Sequence, residues 1–233
     1  MKLIKLLFCV LFVHFFFINS VFAGTITGTP TKYETTMTKF ELCTSSACTT
    51  TTVLGTKTAT FNIASASAGA DVGDWISSFS LEVGTTYTHV QATINVTFTI
   101  AGYITDDNSN GIDEDYCVTV ASPSTPASAT TPAIHAGSNS TTNADMSWVV
   151  PNMTGTDYGD LTTSFGTNGI TKTDDASTIT WIGALTSSYT PTASSAPKFT
   201  MSFDVTNMLQ AFGSGGNCNI YVKPPAVTIT LSD

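Results

Sequence analysis

Residues 86–100 read TYTHVQATINVTFTI, and from His89 onward apolar and polar side chains alternate without a break. Successive side chains of a β-strand point to opposite faces, so this period of two predicts a strand with one face in a core and the other in water. At about 3.3 Å per residue the stretch would reach roughly 50 Å, which is longer than ordinary strands. We therefore expect a bulge or bend to divide it. The apolar positions are Val90, Ala92, Ile94, Val96, Phe98 and Ile100.

The rest of the chain carries more candidate strands separated by turn residues. Threonine is abundant throughout, and together with Val, Ile, Phe and Tyr it favours a pleated, half-buried surface over a helix. This pattern predicts an all-β fold, an antiparallel β-sandwich of the transthyretin or immunoglobulin type. The pattern leaves residues 72–79 and 205–212 as the only candidates for short helices. The further candidate strands are 33–43, 58–64, 116–121, 146–150, 178–184, 198–205, 219–222 and 226–231.

The first 23 residues are organised like an export signal. Lys2 and Lys5 precede an apolar run, and Val21 and Ala23 place small residues at the third and first positions before a cut after Ala23. We expect cleavage there, and a mature chain of residues 24–233 that is secreted, periplasmic or at the cell surface. An uncleaved membrane anchor is the alternative, although the run is short for a span. No later segment is apolar enough to cross a bilayer.

The charge balance excludes one class of partner. The 233 residues include 8 basic and 17 acidic side chains, for a formal charge of −9, and every basic residue is a lysine. Without guanidinium groups for bidentate phosphate or base contacts, and with repulsion from a polyanion, nucleic-acid binding is disfavoured. Docking to an anionic membrane is disfavoured for the same electrostatic reason.

Four cysteines follow the signal, an even number in a chain that is expected to be exported, and they indicate two disulfides. Of the three possible pairings we predict Cys43 with Cys48, which closes a tight loop, and Cys117 with Cys218, which ties distant parts of the chain together. No cysteine stands at the spacing of a zinc finger from either His89 or His135, so a structural zinc site is not expected.

Residues 121–144 are rich in Ser, Thr, Pro, Ala and Asn and hold little apolar surface. The segment fits either a linker between two domains or an exposed insertion within one. We favour a single domain over 24–233 with an exposed insertion at about 121–144. Each half alone has few apolar strands, and the disulfide predicted between Cys117 and Cys218 would span the segment.

A family resemblance rests on two separated blocks of the chain. The first contains Phe40-Glu41-Leu42, Thr60-Phe61-Asn62-Ile63 and the stretch from Leu81 to Val90; the second contains Phe203-Asp204-Val205 and Tyr221-Val222-Lys223-Pro224. Together they resemble the secreted bacterial family called domain of unknown function 4382, although Gln91 stands where that family usually has arginine. The resemblance implies an exported β-sandwich found in surface proteins and lipoproteins. It implies no catalytic residues, and residues 103–178 remain unmatched.

The sequence DDNSNGIDED at 106–115 is the most specific local motif. Oxygen-bearing side chains at alternate positions, then a glycine, then a carbonyl donor match the first half of a calcium loop. The motif also resembles the calcium loops of thrombospondin type 3-like repeats. The alternative is an acidic hairpin tip, because Asn-Gly favours a tight turn. The candidate calcium ligands are Asp106, Asn108, Asn110, Ile112, Glu114 and Asp115, and Asp113 is a further carboxylate within reach.

The sequence offers little for catalysis. A Ser-His-Asp arrangement needs a histidine held by a carboxylate, and the mature chain has only His89, on the polar face of a strand, and His135. Phosphate loops, Rossmann glycines and metalloprotease motifs are absent. We expect a non-catalytic surface or extracellular protein with a structural or adhesive role, whose partners are surface proteins, copies of itself or glycans. The alternative is a calcium-assisted carbohydrate-binding module that uses Trp75, Trp148 or Trp181 to stack on sugars, of which Trp75 is the best candidate for exposure.

Overall fold

A computed structural model describes residues 25–65, 79–106, 114–158, 161–214 and 216–233. Strand content is 51% and helix content 3%, and several antiparallel sheets form a sandwich-like arrangement. The all-β fold that the sequence predicts is confirmed. The export signal and residues 72–78 of the candidate helix at 72–79 lie outside the described residues.

The regular structure of these residues consists of strands of two to twelve residues and one short helix. In chain order these elements are β1 (Ile26–Gly28), β2 (Lys32–Cys43), β3 (Thr51–Gly55), β4 (Ala59–Asn62), β5 (Tyr87–Asn95), β6 (Thr97–Ala101), β7 (Tyr103–Thr105), β8 (Tyr116–Val118), β9 (Ala133–Ala136), β10 (Met146–Val149), α1 (Thr162–Thr167), β11 (Ile170–Thr171), β12 (Thr178–Tyr189), β13 (Lys198–Asp204), β14 (Leu209–Ser214), β15 (Asn217–Val222) and β16 (Ala226–Ser232).

The larger layer is an eight-stranded sheet built around β2 and β5. Met37 of β2 pairs with Ile94 of β5 and also with Ala59 of β4, so β2 has hydrogen-bonded neighbours along both of its edges. β5 pairs in turn with β12, and β6 pairs with β10. Because side chains alternate across each strand, one face of this sheet supplies the apolar residues of the core.

The long alternating stretch is divided in two, as expected. β5 ends at Asn95 and β6 begins at Thr97, and the backbone of Val96 bonds elsewhere. Its N–H donates to the carbonyl of Ser177 at 3.1 Å, and its carbonyl accepts from the N–H of Val150 at 2.7 Å. The break between β5 and β6 does not disturb the apolar face. The buried side chains of this face are Val90, Ala92, Phe98 and Ile100, and those of Ile94 and Val96 are half-buried.

The second layer is one long two-stranded ribbon with a kink in the middle. β13 pairs with β16 on one side of the kink, and β14 pairs with β15 on the other. At the kink the N–H of Lys223 donates to the carbonyl of Met208 at 2.8 Å, which keeps the two strands together. Pro224 and Pro225 follow. Because proline has no N–H to donate, the ladder breaks at this point and the layer splits into two sheets.

Each arm of the ribbon packs on the larger sheet and encloses an apolar cluster. β14 and β15 join β1 and β9 in a four-stranded sheet over the first cluster, and the β13–β16 arm covers the second. In the second cluster the rings of Phe40 and Phe199 meet edge to face, with centroids 5.0 Å apart. Full burial of one such side chain stabilises the fold by about 1.5–3 kcal/mol. Fully buried residues include Leu42, Ile100, Met146, Val150, Leu209 and Ile220.

The segment at 121–144 contributes a strand that the sequence analysis does not predict. β9 pairs with β15 at the edge of the four-stranded sheet, and Ala133 and His135 are buried there. The flanking residues are mostly exposed or half-buried. Four residues with only two buried side chains give a weak local pattern, so the partner strand decides their conformation.

The candidate helix at 205–212 is wrong, because β14 begins at Leu209 and pairs on both edges, with β1 and with β15. Leu209, Gln210 and Ala211 are all buried, and this continuous burial hides the period of two. The observed helix, α1, was not predicted. Its Thr-Thr-Ser-Phe-Gly-Thr sequence has weak helix formers, and Phe165 holds it on the first cluster.

Gly169, just after α1, occupies a position that no other residue fits well. Its φ is +71°, and a Cβ at this site would lie 2.1 Å from the carbonyl oxygen of Ile182. The Ile182 N–H donates to the Gly169 carbonyl at 2.9 Å. Glycine therefore permits both the left-handed turn and the close approach to β12.

Candidate functional site

The acidic motif lies at the end of the β7–β8 hairpin. Thr105 pairs with Tyr116, and beyond this pair the N–H of Asp106 donates to the carbonyl of Asp115 at 2.8 Å. The backbone thereby brings the two ends of the motif together, as both the calcium-loop and the hairpin-tip interpretations require. Three of the predicted ligands, Asn108, Asn110 and Ile112, and the further carboxylate Asp113 lie outside the described residues.

The carboxylate of Asp106 is buried and has no hydrogen-bond partner among the described residues. The residue is 8% exposed, and no described donor reaches either of its side-chain oxygens. Oxygen Oε2 of Glu114 is likewise buried without a hydrogen-bond partner in the described ranges. None of the ion pairs in the described part of the chain involves either residue. Burying unpaired polar atoms costs about 1–3 kcal/mol each, more when they are charged, so this end of the hairpin is suited to a cation with oxygen ligands.

The third described carboxylate, Asp115, has a different environment. It is exposed, and its backbone N–H donates to Oδ1 of Asn139 at 3.4 Å. Asn139 belongs to the segment at 121–144, so that segment contacts the acidic end of the hairpin. The carboxylate of Asp115 does not join those of Asp106 and Glu114 in a group of three ligand atoms within 4.8 Å of one another.

Two tyrosines lie on the same hairpin as the acidic motif. The rings of Tyr103 and Tyr116 are in edge-to-face contact, with centroids 5.7 Å apart. Tyr103 is 39% exposed, one of the few large apolar side chains at the surface of the described residues. An exposed aromatic ring on the same hairpin as a candidate cation site is compatible with a calcium-assisted sugar site.

The tryptophans form no such surface in the part of the chain that is described. Trp148 is 3% exposed and stacks on Phe98 at 5.7 Å, and Trp181 packs against both apolar clusters. Neither Trp148 nor the half-buried Trp181 is therefore an exposed platform for a sugar ring. Trp75, the best candidate for exposure, lies outside the described residues.

His89 has no carboxylate partner among the described residues. Its Nδ1 lies 2.8 Å from Oγ1 of Thr88, the residue before it. It lines a surface cavity of about 490 Å³ together with Ser46 and Trp181, and the described lining includes no acidic side chain. A general base of the Ser-His-Asp type needs a third group to orient the imidazole, and this cavity does not supply one.

His135 is the residue whose surroundings the sequence analysis misses. It is 3% exposed and packs against the Cys117–Cys218 disulfide, one of the two predicted bridges; the other, Cys43–Cys48, is also present. Burial lowers the pKa of His135, and a hydrogen bond with the carbonyl of Ala136 acts in the opposite direction. The cysteines are 18 and 83 residues away in sequence, so no local spacing could have revealed this contact.

An apolar cavity of about 100 Å³ lies between the two clusters. Its walls come from both layers, and Pro224 and Pro225 at the kink of the ribbon contribute to them. The break in the second layer thus leaves the interior less completely filled at this point than under either arm. Aromatic residues in the lining include Tyr33, Phe61, Phe98, Trp148, Phe165 and Trp181.

No protein-family model, curated protein or solved structure matches this chain. The resemblance to the domain of unknown function 4382 family and to thrombospondin type 3-like loops therefore stays a prediction. Within the described ranges, no helix has the length and apolar character needed to cross a membrane.

Proposed function

We propose that this protein is an exported, non-catalytic β-sandwich with a structural or adhesive role at the cell surface. The observation that carries the proposal is the outer edge of β13. Among the described residues β13 has one hydrogen-bonded neighbour, β16, so the backbone groups along its other edge are available for pairing. An edge of this kind accepts a further strand from another molecule.

The side chains of β13 suit such pairing. Phe199 and Met201 point into the second cluster, and Thr200 and Ser202 alternate with them on the outer face. Lys198 and Asp204 are exposed at the two ends, where charges limit unspecific aggregation. We take the partner to be β13 of a second copy, because antiparallel pairing of two such strands would bring Lys198 of each near Asp204 of the other.

The two disulfides and the residues that line the surface cavity support the same proposal. Disulfides persist outside the reducing cytosol, which agrees with the expected export. The described wall of the cavity at His89 offers no carboxylate, which supports a role other than catalysis. We therefore assign the protein to binding or assembly.

Size-exclusion chromatography with light scattering, followed by electron microscopy, would test the assembly of residues 24–233. We expect multimers at rising concentration, and Ser202→Lys should raise the dissociation constant about tenfold, or about 1.4 kcal/mol, by placing like charges at the interface. Thr228→Lys is the matched control, because Thr228 lies directly opposite Ser202 on β16, whose far side contacts β12 through Thr230 and Thr186. A particle that stays monomeric at all concentrations would contradict the proposal, and so would equal effects of both lysines.

A calcium-assisted carbohydrate-binding module is the second candidate. The hairpin that carries the buried oxygens of Asp106 and Oε2 of Glu114, without hydrogen-bond partners among the described residues, also presents the ring of Tyr103 to solvent, and their location on one hairpin favours this candidate. The ion would order the acidic end, and the tyrosine would stack on a sugar ring. Affinities of extracellular calcium modules are about 10⁻⁴–10⁻³ M, so we expect weak binding here.

A glycan array with and without calcium separates the two candidates. Calcium-dependent binding that is lost in Asp106→Asn and in Tyr103→Ala, but retained in Asp157→Asn, would support the carbohydrate module. Asp157 is an exposed acidic residue in another turn, so its substitution controls for the change in charge. If no glycan binds under either condition, the second candidate is rejected and the first stands on the assembly test.

A further inference from the structure

The Cys117–Cys218 disulfide and the ring of His135 form a compact buried group. Nε2 of His135 lies 3.4 Å from Sγ of Cys218 and 3.8 Å from Sγ of Cys117. Both cysteines are fully buried and His135 is 3% exposed. The three ligand-type atoms lie within 4.8 Å of one another, although they come from three different strands.

Both ring nitrogens of His135 lie 3.4 Å from Sγ of Cys218, and the hydrogen bond of the imidazole decides which of them carries the lone pair. Nδ1 lies 2.7 Å from the carbonyl oxygen of Ala136, which can only accept, so Nδ1 carries the proton and donates it. Nε2 is then unprotonated on the side of Cys117. Metal-binding histidines have this arrangement, in which a backbone carbonyl holds the second nitrogen and orients the ring.

The distances from nitrogen to sulfur match a tetrahedral metal site. With Zn–S bonds of about 2.3 Å and Zn–N bonds of about 2.0–2.1 Å, the sulfur–nitrogen edge of a tetrahedron is about 3.6 Å. The observed separations of 3.4 and 3.8 Å lie on either side of that value. The two sulfurs are bonded to each other, so a metal requires the disulfide to open first.

We propose that reduction of the Cys117–Cys218 disulfide converts this group into a binding site for a thiophilic divalent cation, with Zn²⁺ as the expected ion. A dithiol reductant supplies two electrons and two protons, breaks the sulfur–sulfur bond and itself becomes a disulfide. The cation then displaces the two thiol protons and binds both thiolates and Nε2 of His135. A water molecule takes the fourth position. The same residues are thus a covalent clamp when oxidised and a metal site when reduced.

Access to the buried group is through β9. This strand has four residues, pairs with β15 along one edge and forms a single bridge on the other, between Ile134 and Thr125. His135 and Cys218 are directly opposite each other in that pairing. Short edge strands open more easily than central ones, so local separation of β9 exposes both residues to reductant and cation.

The test uses residues 24–233 carrying Cys43→Ala and Cys48→Ala, so that Cys117 and Cys218 are the remaining thiols. After anaerobic reduction with a phosphine, Co²⁺ is titrated as a spectroscopic probe for zinc. We expect one Co²⁺ per chain with a thiolate-to-cobalt charge-transfer band, displacement by Zn²⁺, and no band in the oxidised protein. The comparison of oxidised and reduced forms of one chain does not depend on any histidine variant.

His135→Gln should weaken Co²⁺ binding about 100-fold or more, because loss of a direct ligand exceeds the 10–100-fold cost of losing an outer-shell partner. His89→Gln, at the other histidine of the mature chain, should leave it unchanged. Circular dichroism checks the β-structure of each protein. The proposal is overturned if the reduced protein gives no charge-transfer band, if His135→Gln binds like the parent, or if reduction unfolds the chain and the metal does not restore it.

Discussion

The two disulfides close loops of very different length, and this difference predicts unequal stabilities for the two bridge-removal variants. Cys117 and Cys218 are 101 residues apart, and Cys43 and Cys48 are 5 apart. In the loop-entropy model the longer loop contributes about 4.7 kcal/mol at 25 °C and the shorter about 2 kcal/mol. Replacing each pair by alanine should therefore destabilise the fold unequally, by a difference of about 2.7 kcal/mol.

Equilibrium unfolding in guanidinium chloride, followed by tryptophan fluorescence and circular dichroism, measures this difference. For a chain of this size about 1 kcal/mol corresponds to about 2–4 °C, so the melting temperature should fall about 4–8 °C for Cys43→Ala/Cys48→Ala and about 9–19 °C for Cys117→Ala/Cys218→Ala. All four cysteines are buried, so loss of sulfur packing largely cancels in the comparison. Equal losses, or a larger loss for the short loop, would refute the loop-entropy account.

Three further predictions follow from other positions. Gly169→Ala should lower the free energy of unfolding by about 3 kcal/mol, because a Cβ would meet the backbone of β12. Gly155→Ala should lower it by about 1 kcal/mol, because this residue has a φ of +67° but open space around it. Similar losses for the two variants in thermal melts would contradict the close approach at Gly169. Burial raises the pKa of Glu41, but hydrogen bonds from Lys39, Thr51 and Gln91 outweigh it and lower the pKa below 4.5. The contribution of ionised Glu41 to stability is therefore complete above pH 4.5 and is lost as the pH falls through the lowered pKa. Glu41→Gln should reduce the free energy of unfolding by about 1.5–3 kcal/mol at pH 7 and should match the parent at low pH in urea titrations. A constant difference in stability at all pH values would exclude this explanation. Calcium at 100 times its dissociation constant should stabilise the parent by about 2.7 kcal/mol and leave Asp106→Asn unchanged in thermal shift assays; an equal shift in both would remove Asp106 from the ligand set.

Strands with clear alternation were predicted closely. β2, β5, β6, β12, β13 and β16 all lie within or beside predicted segments, because a half-buried strand shows its environment in its own side chains. The division of the stretch at 86–100 also followed from length alone, since roughly 50 Å exceeds the usual length of a strand.

Strands with weak or uniform patterns were missed. β14 is buried on both faces, so Leu209, Gln210 and Ala211 show no period of two. β9 was missed because the residues around it in sequence are mainly Ser, Thr and Pro, which show no strand pattern. Its strand conformation comes from hydrogen bonds to β15. In both cases the deciding interactions lie with residues far away in the chain.

The candidate sites likewise divide into features visible in the sequence and features that only the fold brings together. The acidic motif was visible because its ligand-type residues are close in sequence, and the fold adds that Asp106 is buried with no hydrogen-bond partner in the described part of the chain. Both cysteine pairings were predicted from parity and spacing. The position of His135 against Cys117 and Cys218 was not, because three separate strands bring these residues together.

The amino-acid sequence by itself determined the all-β class, the cysteine pairs and the acidic motif, since each is written in side chains that are local or countable. The tertiary structure decided how the second layer splits at Pro224 and Pro225, where the apolar cavity lies, and which histidine meets the buried sulfurs. The physical reason is the range of the interactions. Alternation and turn chemistry act over a few residues, whereas layer packing and ligand geometry depend on atoms that only the closed sandwich brings into contact.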